Sequence, residues 1–487
     1  MTLDPKKNVA PAAVRRVHLM GVCGTGMGAL AGMLQRAGYA VSGSDSNVYP
    51  PMSDFLRDQG ISVREGYRPE NLEPRPDLVV VGNVIRRDNP EALALAGAAI
   101  PYLSFPQALG HFFIGDRVSL VVCGTHGKTT TSSMLASVLA SAGCEPSFMI
   151  GGIVQAFGRN FNVNDGPLFV AEGDEYDTAF FDKGPKFLHY RPKVAVITSI
   201  EFDHADIYHD LDAVVASFGK LVAILPADGL LVANLDDPVV ARVAAAAACP
   251  VAGYGQGQER MWRLAAVAPV GDGTTSFEVY RNGAPYGTFV QRMGGRHNCM
   301  NATAVLAVLD HLGLAPATVA PGLAAFAGVR RRQEVRGEVA GVTVIDDFAH
   351  HPTAVAETLA ALRSLYPGRR LVTVFEPRTN SSRRRVFQDA YAGAFDDGDL
   401  VLIREPLPLA GVAADEMFSA AELVAALRLR GRPAAAFADT DAILAHLAAE
   451  LRPGDVAAIL SNGGFDDIHA RLLRLLAERP RSPSPAE

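Results

Sequence analysis

One glycine-rich segment constrains the fold more than any other part of the chain. It reads Gly124-Thr125-His126-Gly127-Lys128-Thr129-Thr130 and lies between an apolar run at 118–122 and a segment at 130–142 rich in Ala, Leu, Met and Ser. The run predicts a buried strand, and the segment after it predicts a helix. Glycines let backbone N–H groups converge on phosphate oxygens, a lysine neutralises the outer phosphates, and a hydroxyl can bind Mg²⁺. We therefore expect a nucleoside triphosphate at this turn.

The predicted phosphate loop is shorter than the common P-loop. Val122 stands where that pattern has its first glycine, five positions before Gly127. The alternative interpretation is a strand-to-helix turn with a surface lysine. We favour the phosphate site because a strand, Gly-Lys-Thr and a helix follow one another in the order that a phosphate loop requires.

Acidic residues follow two later strands of the same predicted sheet. The strand at 167–171 is followed by four acids within six residues, which are Glu172, Asp174, Glu175 and Asp177. Such carboxylates repel one another unless a cation lies between them, and hard oxygen ligands suit Mg²⁺; the alternative is an acidic surface turn. The strand at 194–200 is followed by Glu201, Asp203, His204 and Asp206. His204 is either a metal ligand or a surface histidine.

The N-terminal segment reads as a separate nucleotide-binding unit. A strand at 14–20 leads into a turn containing Gly24 and Gly26, a helix continues to Arg36, and a second strand ends at Asp45. A glycine-rich first turn with an acid after strand two is typical of a Rossmann-like domain. Ala29 replaces the last glycine of the dinucleotide fingerprint, so a nicotinamide dehydrogenase stays open as an alternative. We expect an α/β domain with a diphosphate-sized site.

A third α/β unit follows residue 333. Strands are predicted at 341–345, 370–375, 400–404 and 456–460. Polar groups follow each strand end, so this unit has a face that could close on the nucleotide held by the second domain. Before it, Asn298 and Asn301 lie at the start of a predicted helix; helix caps are the default interpretation, and contact with a purine edge is the alternative.

Length, charge and cysteine content restrict the remaining possibilities. The 487 residues suffice for three domains, and a formal net charge of −7 without a basic tail argues against nucleic acid as a partner. Five scattered cysteines favour a reducing cytoplasm over a disulfide framework. We find no signal peptide or membrane span, and residues 1–7 and 479–487 look disordered. The arginine cluster at 330–332 reads as a solvated face or a phosphate contact.

Taken together, the phosphate loop, the acidic strand end, Asp203-His204, the Asn298 helix start and the Asp346-Asp347 to Pro352 segment resemble the Mur ligase family. The similarity covers residues 15 to about 475. It implies a cytoplasmic, ATP-dependent amide ligase of bacterial cell-wall synthesis. The implied α/β fold has a Rossmann-like UDP-sugar-binding domain (1–115), a central P-loop ATPase-like domain (116–333), a C-terminal Rossmann-like acceptor domain (334–475) and a disordered tail (476–487).

Within the family, the segments at 172–183 and 375–382 resemble the branch that joins UDP-N-acetylmuramate to the recovered murein tripeptide L-alanyl-γ-D-glutamyl-meso-diaminopimelate. The resemblance implies ATP and Mg²⁺ as cofactors, an acyl-phosphate intermediate and a role in peptidoglycan recycling. It also implies Lys128, Glu172 and His204 as catalytic residues, with Thr129 and Glu172 on one Mg²⁺ and His204 on a second. We expect no nucleic acid, no membrane, and a monomer or weak dimer.

The resemblance also assigns binding residues. The ATP set is Gly124, Thr125, His126, Gly127, Lys128, Thr129, Thr130, Asn298, Arg330, Asp346 and Asp347. The UDP-sugar set is Gly24, Thr25, Gly26 and Met27 at the diphosphate, with Asp45 near the uridine. Arg378 is the candidate for an acceptor carboxylate because a guanidinium fork matches a carboxylate, although a structural ion pair is an equal alternative.

Some interpretations stay open at this stage. Asp466 and Asp467 stand where related enzymes have small residues, so acceptor preference is undecided. Lys220 lies close to the register of a carbamylated lysine found in many family members, and the alternative is a solvated lysine. Competing functions are the L-alanine-adding enzyme of the same family, a nucleotide-driven switch and a nicotinamide oxidoreductase.

Overall fold

The computed structural model describes residues 3–49, 52–271 and 273–479. In these residues the strands form three main sheets and one separate hairpin. The first sheet has the order β3-β2-β1-β4-β5 with every neighbouring pair parallel. Its elements are β1 (Arg16–Met20), α1 (Thr25–Arg36), β2 (Ala40–Asp45), α2 (Met52–Asp58), β3 (Ser62–Glu65), β4 (Leu78–Val81), α3 (Pro90–Gly97), β5 (Tyr102–Ser104) and α4 (Phe105–Leu109).

The strand order of this first sheet reverses beside β1. Chain connections leave β1 in one direction through α1 to β2, whereas β4 lies on its other side. The crevice beyond the carboxyl end of such a strand is where open α/β sheets bind ligands. Gly24, the residue that precedes α1, therefore stands at the natural binding position of this domain.

The central sheet is larger and mixed. Its order is β17-β16-β15-β14-β13-β12-β6-β9-β7-β8, parallel from β15 to β7 and antiparallel at both edges. The strands are β6 (Val118–Cys123), β7 (Ser147–Val154), β8 (Arg159–Asn162), β9 (Leu168–Gly173), β12 (Val194–Ile197), β13 (Leu230–Asn234), β14 (Val251–Gly255), β15 (Trp262–Pro269), β16 (Thr275–Arg281) and β17 (Ala284–Gln291), with β10 (Asp177–Ala179) and β11 (Asp182–Pro185) as the separate hairpin. The helices are α5 (Lys128–Ser141), α6 (Leu211–Ala223), α7 (Pro238–Ala244), α8 (Arg296–His311) and α9 (Pro316–Ala325).

The third sheet has the order β18-β19-β23-β20-β21-β22, parallel except for the edge strand β18. Its strands are β18 (Glu334–Val339), β19 (Val342–Asp347), β20 (Leu371–Phe375), β21 (Leu400–Arg404), β22 (Ala434–Phe437) and β23 (Val456–Leu460). Its helices are α10 (Pro352–Leu365), α11 (Gln388–Ala394), α12 (Ala420–Leu429), α13 (Thr440–Glu450) and α14 (Ile468–Ala477). The α/β class predicted from the sequence is confirmed.

Helices cover both faces of the central sheet, which explains why its inner strands β13, β12, β6 and β9 are largely apolar. The strand before the phosphate loop, β6, is buried along nearly its whole length, and so is helix α5 behind it. One apolar cluster runs from the first sheet to one face of the central sheet. At this junction Gly32 of α1 lies against Phe161 of β8, where an added Cβ would come within 2.9 Å of the ring. Tight packing therefore fixes the first domain against the second.

Several local predictions differ from the structure. The alanine run at 241–248 predicts a helix, but α7 begins earlier at Pro238, where the Asp237 side chain caps it, and ends at Ala244. The N-terminal segment is not free: Leu3 is buried and the Asp4 carbonyl accepts a hydrogen bond from the Tyr102 hydroxyl at 3.1 Å. A capping side chain and one buried leucine outweigh the composition of these segments.

Residues 476–479, the start of the predicted disordered tail, are ordered. Helix α14 continues to Ala477, and Arg479 donates to the carbonyl of Leu451 at 2.9 Å and to that of Leu447 at 3.1 Å. Residues 480–487 of the predicted tail, like residues 1–2, lie outside the described residues. Among the helices described, none combines the length and the apolar run needed to cross a membrane.

A buried polar network stabilises the first domain beneath its binding crevice. Glu91 of α3 is fully buried; its carboxylate contacts the His18 ring at 2.7 Å and accepts from the Ser44 hydroxyl at 2.9 Å and the Asn71 amide at 2.8 Å. Ser44 immediately precedes Asp45. Each buried partner therefore loses a hydrogen bond if this one carboxylate is removed, although the His18 ring and the Asn71 amide each keep a second one.

We predict that Glu91→Ala lowers the free energy of unfolding by about 3 kcal/mol, because it leaves three buried polar groups without their partner. Urea titration of the purified chain measures this value. Glu70→Ala is the matched control, since the same side chain is removed from an exposed position; it should change stability by less than about 0.5 kcal/mol. Equal effects of the two substitutions would contradict the role assigned to the network.

Candidate active site

The phosphate loop lies between β6 and α5 and depends on its two glycines. Gly124 has φ +133° and Gly127 has φ +80°, both in the region that favours glycine. A Cβ at Gly124 would lie 2.1 Å from the Thr198 hydroxyl, and one at Gly127 would lie 2.9 Å from the Asn301 side chain. The backbone is thus held against neighbouring side chains, and the first-turn amides of α5, which have no partner within the helix, provide an anion site.

Lys128 is held above this loop by a buried carboxylate. Its ammonium donates to the Gly124 carbonyl at 2.6 Å and lies 3.2 Å from Glu175 Oε2. Burial lowers the pKa of Lys128, but Glu175 and the acids beside it raise the pKa by more, so it ends above its ordinary value. Burial raises the pKa of Glu175, but Lys128 and His204 together lower it by more, so it ends below its ordinary value. The lysine is therefore charged and fixed in place.

Thr129 and Glu172 meet beside the loop, as the sequence analysis predicted. The Thr129 hydroxyl donates to Glu172 Oε1 at 2.9 Å, and the Gly151 amide donates to Glu172 Oε2 at 2.7 Å. Burial and the nearby Asp174 raise the pKa of Glu172. A hydroxyl and a carboxylate crowded by like charge form the oxygen donor set that suits Mg²⁺, so these residues fit the metal that was expected.

His204 reaches the same acidic group from the end of β12. Its Nε2 lies 3.5 Å from Glu175 Oε1, so His204 and Lys128 contact opposite oxygens of one carboxylate. Its ring lies 4.8 Å from the Tyr176 ring. Burial lowers the pKa of His204, but the hydrogen bond and the charge of Glu175 raise it by more. The pKa of His204 therefore ends above its ordinary value. The structure therefore places Lys128 and His204 on the Glu175 carboxylate, and Glu172, the third predicted catalytic residue, is close enough to Lys128 to raise its pKa.

A cavity of about 1010 Å³ opens beside His126 and Gly127. Asn234, Asp236, Tyr254 and Gln256 line it from the central sheet, and Thr353, Glu357 and Ala361 line it from α10 of the third sheet. Its volume is at the upper end of the range for small-molecule sites. The cavity and the phosphate loop together form a space in which a nucleotide fits, with its phosphates at the loop.

The two helix-start asparagines have different positions. Asn301 lines the cavity, whereas Asn298 is turned inward and donates to the Gly294 carbonyl at 2.7 Å. The Asn298 carbonyl oxygen accepts from Asn301 at 3.4 Å. The capping interpretation was wrong, because Gly295 precedes α8 and supplies no side chain. Asn298 supports Asn301, which is the residue facing the nucleotide space.

A cluster of side chains connects the loop to the third domain. Glu201 Oε2 lies 2.8 Å from the His126 ring nitrogen, 3.4 Å from His351 Nδ1 and 2.8 Å from the Thr353 hydroxyl. The two imidazole rings are 4.5 Å apart between centroids. His351 also caps α10 by accepting from the Thr353 amide. One carboxylate therefore ties the phosphate loop to the helix that lines the opposite wall of the cavity.

The arginine cluster differs from the prediction in one residue. Arg330 is exposed, and its backbone amide bonds the Ile153 carbonyl at 3.0 Å. Arg331 instead donates to the carbonyls of Ser461 and Gly463, each at 2.6 Å, and Arg332 approaches the Thr129 hydroxyl at 3.4 Å. In this conformation Arg331 and Arg332 therefore make the contacts between the third domain and the phosphate loop, and the ATP contact of Arg330 stays a prediction.

The predicted acids Asp346 and Asp347 are both buried at the end of β19. Asp346 lies 3.4 Å from Arg331 Nε, and Asp347 accepts from the backbone amides of Gln333 at 2.7 Å and Ala349 at 2.8 Å. Burial raises the pKa of Asp347. In this conformation both carboxylates bond to the segment that connects the second and third domains. They are not among the residues that line the cavity.

The predicted UDP-sugar residues cluster at the first domain's switch point. Gly24 precedes α1, Thr25, Gly26 and Met27 form its first turn, and Asp45 accepts from the Cys23 amide at 2.8 Å. In the third domain Arg378 is half exposed and lies 3.7 Å from Glu376. Lys220 is exposed near the end of α6. Thus Arg378 has both a structural partner and a solvent-facing edge.

Sequence reasoning missed several residues of the site. They are Glu175, Glu201, Asn301, Arg331, Arg332 and His351. Each lies within three residues of a predicted one or inside a noted motif, so the motifs indicated these segments without selecting these side chains. The acidic run, for example, contained Glu175 but gave no reason to choose it over its neighbours.

Family models match the chain in sequence order over most of its length. They are described as Mur ligase family, catalytic domain (16–117), Mur ligase middle domain (122–309) and Mur ligase, glutamate ligase domain (331–463). The chain is an ATP-dependent, amide-forming ligase, and it belongs to the Mur ligase family.

Similar proteins cover nearly all of the chain. The UDP-N-acetylmuramate–L-alanyl-gamma-D-glutamyl-meso-2,6-diaminoheptandioate ligase of Escherichia coli strain K12 is 40% identical over 465 residues, 95% of this chain and 99% of that protein. A UDP-N-acetylmuramate–L-alanine ligase of Arthrobacter sp. strain FB24 is 40% identical over 397 residues, 81% of each. The crystal structure of a murein peptide ligase from Psychrobacter arcticus 273-4 is 33% identical, with a TM-score of 0.71 over 96% of this chain and 99% of that one.

We predict that Arg331→Met lowers the free energy of unfolding by about 2 kcal/mol, since two charged hydrogen bonds to carbonyls are lost. Arg330→Met should change it by less than about 0.5 kcal/mol, because Arg330 is exposed. Urea titration of both variants makes the comparison. If Arg330→Met proves the more damaging substitution, the corrected assignment is wrong.

The His351 position predicts a specific pH dependence. Burial and the nearby His126 lower the pKa of His351 from its ordinary value of 6.5 to about 4. Between pH 6.5 and pH 4 the unfolded chain therefore binds a proton at this residue that the folded chain does not. Stability therefore falls as the pH drops from 6.5 towards 4. From pH 7 to pH 5 the free energy of unfolding of wild type should fall by about 2 kcal/mol more than that of His351→Asn. The asparagine keeps a capping group but has no titrating ring. Parallel curves of unfolding free energy against pH for the two proteins would contradict this.

Proposed function

We propose that this enzyme joins UDP-N-acetylmuramate to the tripeptide L-alanyl-γ-D-glutamyl-meso-diaminopimelate in peptidoglycan recycling. The main support is the Escherichia coli relative, whose name states this pair and whose full length is matched at 40% identity. The motifs at 172–183 and 375–382 favour the same branch of the family. The enzyme would act in the cytoplasm as a monomer or weak dimer; its cysteines at 23, 123, 144, 249 and 299 are free, in keeping with a reducing compartment.

The chemistry requires activation of a carboxylate. An oxygen of the lactyl carboxylate attacks the γ-phosphorus of ATP, forming a C–O–P bond while the bond to the β-phosphate oxygen breaks and ADP leaves. The peptide amine then attacks the carbonyl carbon, the C–N bond forms, and phosphate departs as the amine loses a proton. Lys128 would offset charge on the transferred phosphoryl group, and the amides at the start of α5 would orient the phosphates.

Mg²⁺ fits the site as a partner of ATP. Thr129 and Glu172 would hold one ion and His204 a second, with Glu175 ordering Lys128 and His204 between them. When bound, the ions would offset the negative charge of the phosphates during transfer. The Thr129–Glu172 contact of 2.9 Å is the observation that supports the first position.

The other roles follow the position of each residue in the fold. Gly24 to Met27 would bind the UDP diphosphate at the first turn of α1, with Asp45 near the uridine. Asn301 would face the nucleotide with Asn298 behind it. Arg331 and Arg332, together with Asp346 and Asp347, would hold the third domain over ATP, and the half-exposed Arg378 would receive a carboxylate of the tripeptide.

One other acceptor has specific support. The L-alanine ligase of Arthrobacter is also 40% identical, although over 81% of the chain rather than 95%. Free L-alanine is therefore the competing amine, and both reactions share the first half of the chemistry.

Product analysis separates the two acceptors. Purified enzyme with ATP, Mg²⁺ and UDP-N-acetylmuramate should release phosphate with the tripeptide, and mass analysis should find the amide product. We expect kcat/KM for the tripeptide to exceed that for L-alanine by at least about 100-fold, the discrimination expected when remote substrate contacts contribute to the transition state. A preference for L-alanine would transfer the assignment to the other branch.

Lys128→Ala provides the mechanistic control in the same assay. Loss of the charge beside the phosphates should reduce kcat by about 100-fold or more. Coupling at the wild-type rate by this variant would refute the assigned role of the phosphate loop.

A further inference from the structure

A second buried lysine faces the acidic group from the side opposite the phosphate loop. Lys186 follows the hairpin of β10 and β11, and its ammonium donates to Asp174 Oδ2 at 2.8 Å. It also lies 4.1 Å from the centre of the Tyr176 ring, and its side chain is 14% exposed. Burial lowers the pKa of Lys186, yet Asp174 raises it by more, so the ammonium stays charged. None of the steps assigned above uses this cation.

The hairpin that immediately precedes Lys186 connects the central domain to the first domain. Phe181 packs edge-on against Tyr102 of β5 with ring centres 4.9 Å apart. Phe180 and Phe181 both join the apolar cluster on the first sheet. On the other side, Tyr176 contacts the His204 ring. Lys186 is therefore located between the acids near the phosphate loop and the domain proposed to bind the UDP-sugar.

The muramyl carboxylate must pass through this region to reach the γ-phosphate. It would approach Glu172, Asp174 and Glu175, which repel a fourth carboxylate. Lys128 is directed to the phosphates and is already held by Glu175. A fixed cation on the side of the incoming sugar would offset this repulsion, and in the described residues Lys186 is the buried lysine in that position.

We propose that Lys186 is a further catalytic residue: its ammonium contacts the lactyl carboxylate of UDP-N-acetylmuramate and then the acyl group formed from it. This inference rests on the proposed function. Lys186 keeps its proton throughout and forms no covalent bond. Asp174 holds the ammonium in place, and the Tyr176 face packs against it.

Lys186→Met tests the contact, with Lys183→Met as the matched control. Lys183 lies on the same hairpin but is 68% exposed and pairs with Asp177 at 2.7 Å. In the tripeptide assay we expect Lys186→Met to lower kcat/KM for UDP-N-acetylmuramate at least 100-fold while KM for ATP changes less than threefold. Lys183→Met should leave both within twofold of wild type, and Lys186→Arg should recover part of the loss.

A double variant distinguishes substrate contact from simple pairing. Lys186→Met leaves Asp174 buried without its partner, whereas Asp174→Asn combined with Lys186→Met removes both charges and keeps the fold. If Lys186 contacts the substrate, the double variant folds and remains at least 100-fold impaired; if the lysine only neutralises Asp174, activity returns and the inference is overturned. Equal rises in KM for ATP and for the sugar nucleotide would also overturn it.

Wild-type enzyme separates this inference from the proposed function. If wild type forms no amide from UDP-N-acetylmuramate, the proposed function fails and the inference fails with it. If wild type forms the amide and Lys186→Met retains kcat/KM for the sugar nucleotide within twofold, only the role of Lys186 is refuted.

Discussion

Negative charge concentrated at the carboxyl ends of β9 and β12 is the constraint on which the site depends. Glu172, Asp174 and Glu175 cannot remain ionised together away from water unless cations are held among them. Lys128 enters from the phosphate loop, Lys186 from the hairpin and His204 from the end of β12. The ion pairs that stabilise these buried acids also fix the positions of the groups that would act on ATP. Stability and chemistry therefore share one set of contacts.

The interdomain contacts connect this cluster to the rest of the chain. Glu201 joins the phosphate loop to α10, while Arg331 and Arg332 join the segment before β18 to the third sheet and to Thr129. These contacts are polar, and several involve charged groups. Polar interfaces of this kind suit domains that separate and close again, because water can replace each contact when it opens.

Motif positions followed from the sequence, whereas side-chain directions did not. The phosphate loop, both acidic strand ends and the third-domain acids were located correctly because each depends on a local strand-to-helix transition. The choice of Arg330 over Arg331 and of Asn298 over Asn301 was uncertain for a physical reason. Adjacent positions in a turn point in different directions, whereas two helix positions three residues apart share a face. In both cases only packing decides which side chain meets the neighbouring element.

By itself, the sequence determined the α/β class, the order of the strand–loop–helix units and the type of ligand that each strand end could hold. These properties are local: alternating apolar runs, glycines and charged turns specify them without reference to distant residues. The tertiary structure alone decided that Glu175 lies between Lys128 and His204. It also decided that Arg332 reaches Thr129 and that Lys186 pairs with Asp174. Such contacts join residues from separate elements, so they exist only once the sheets have packed.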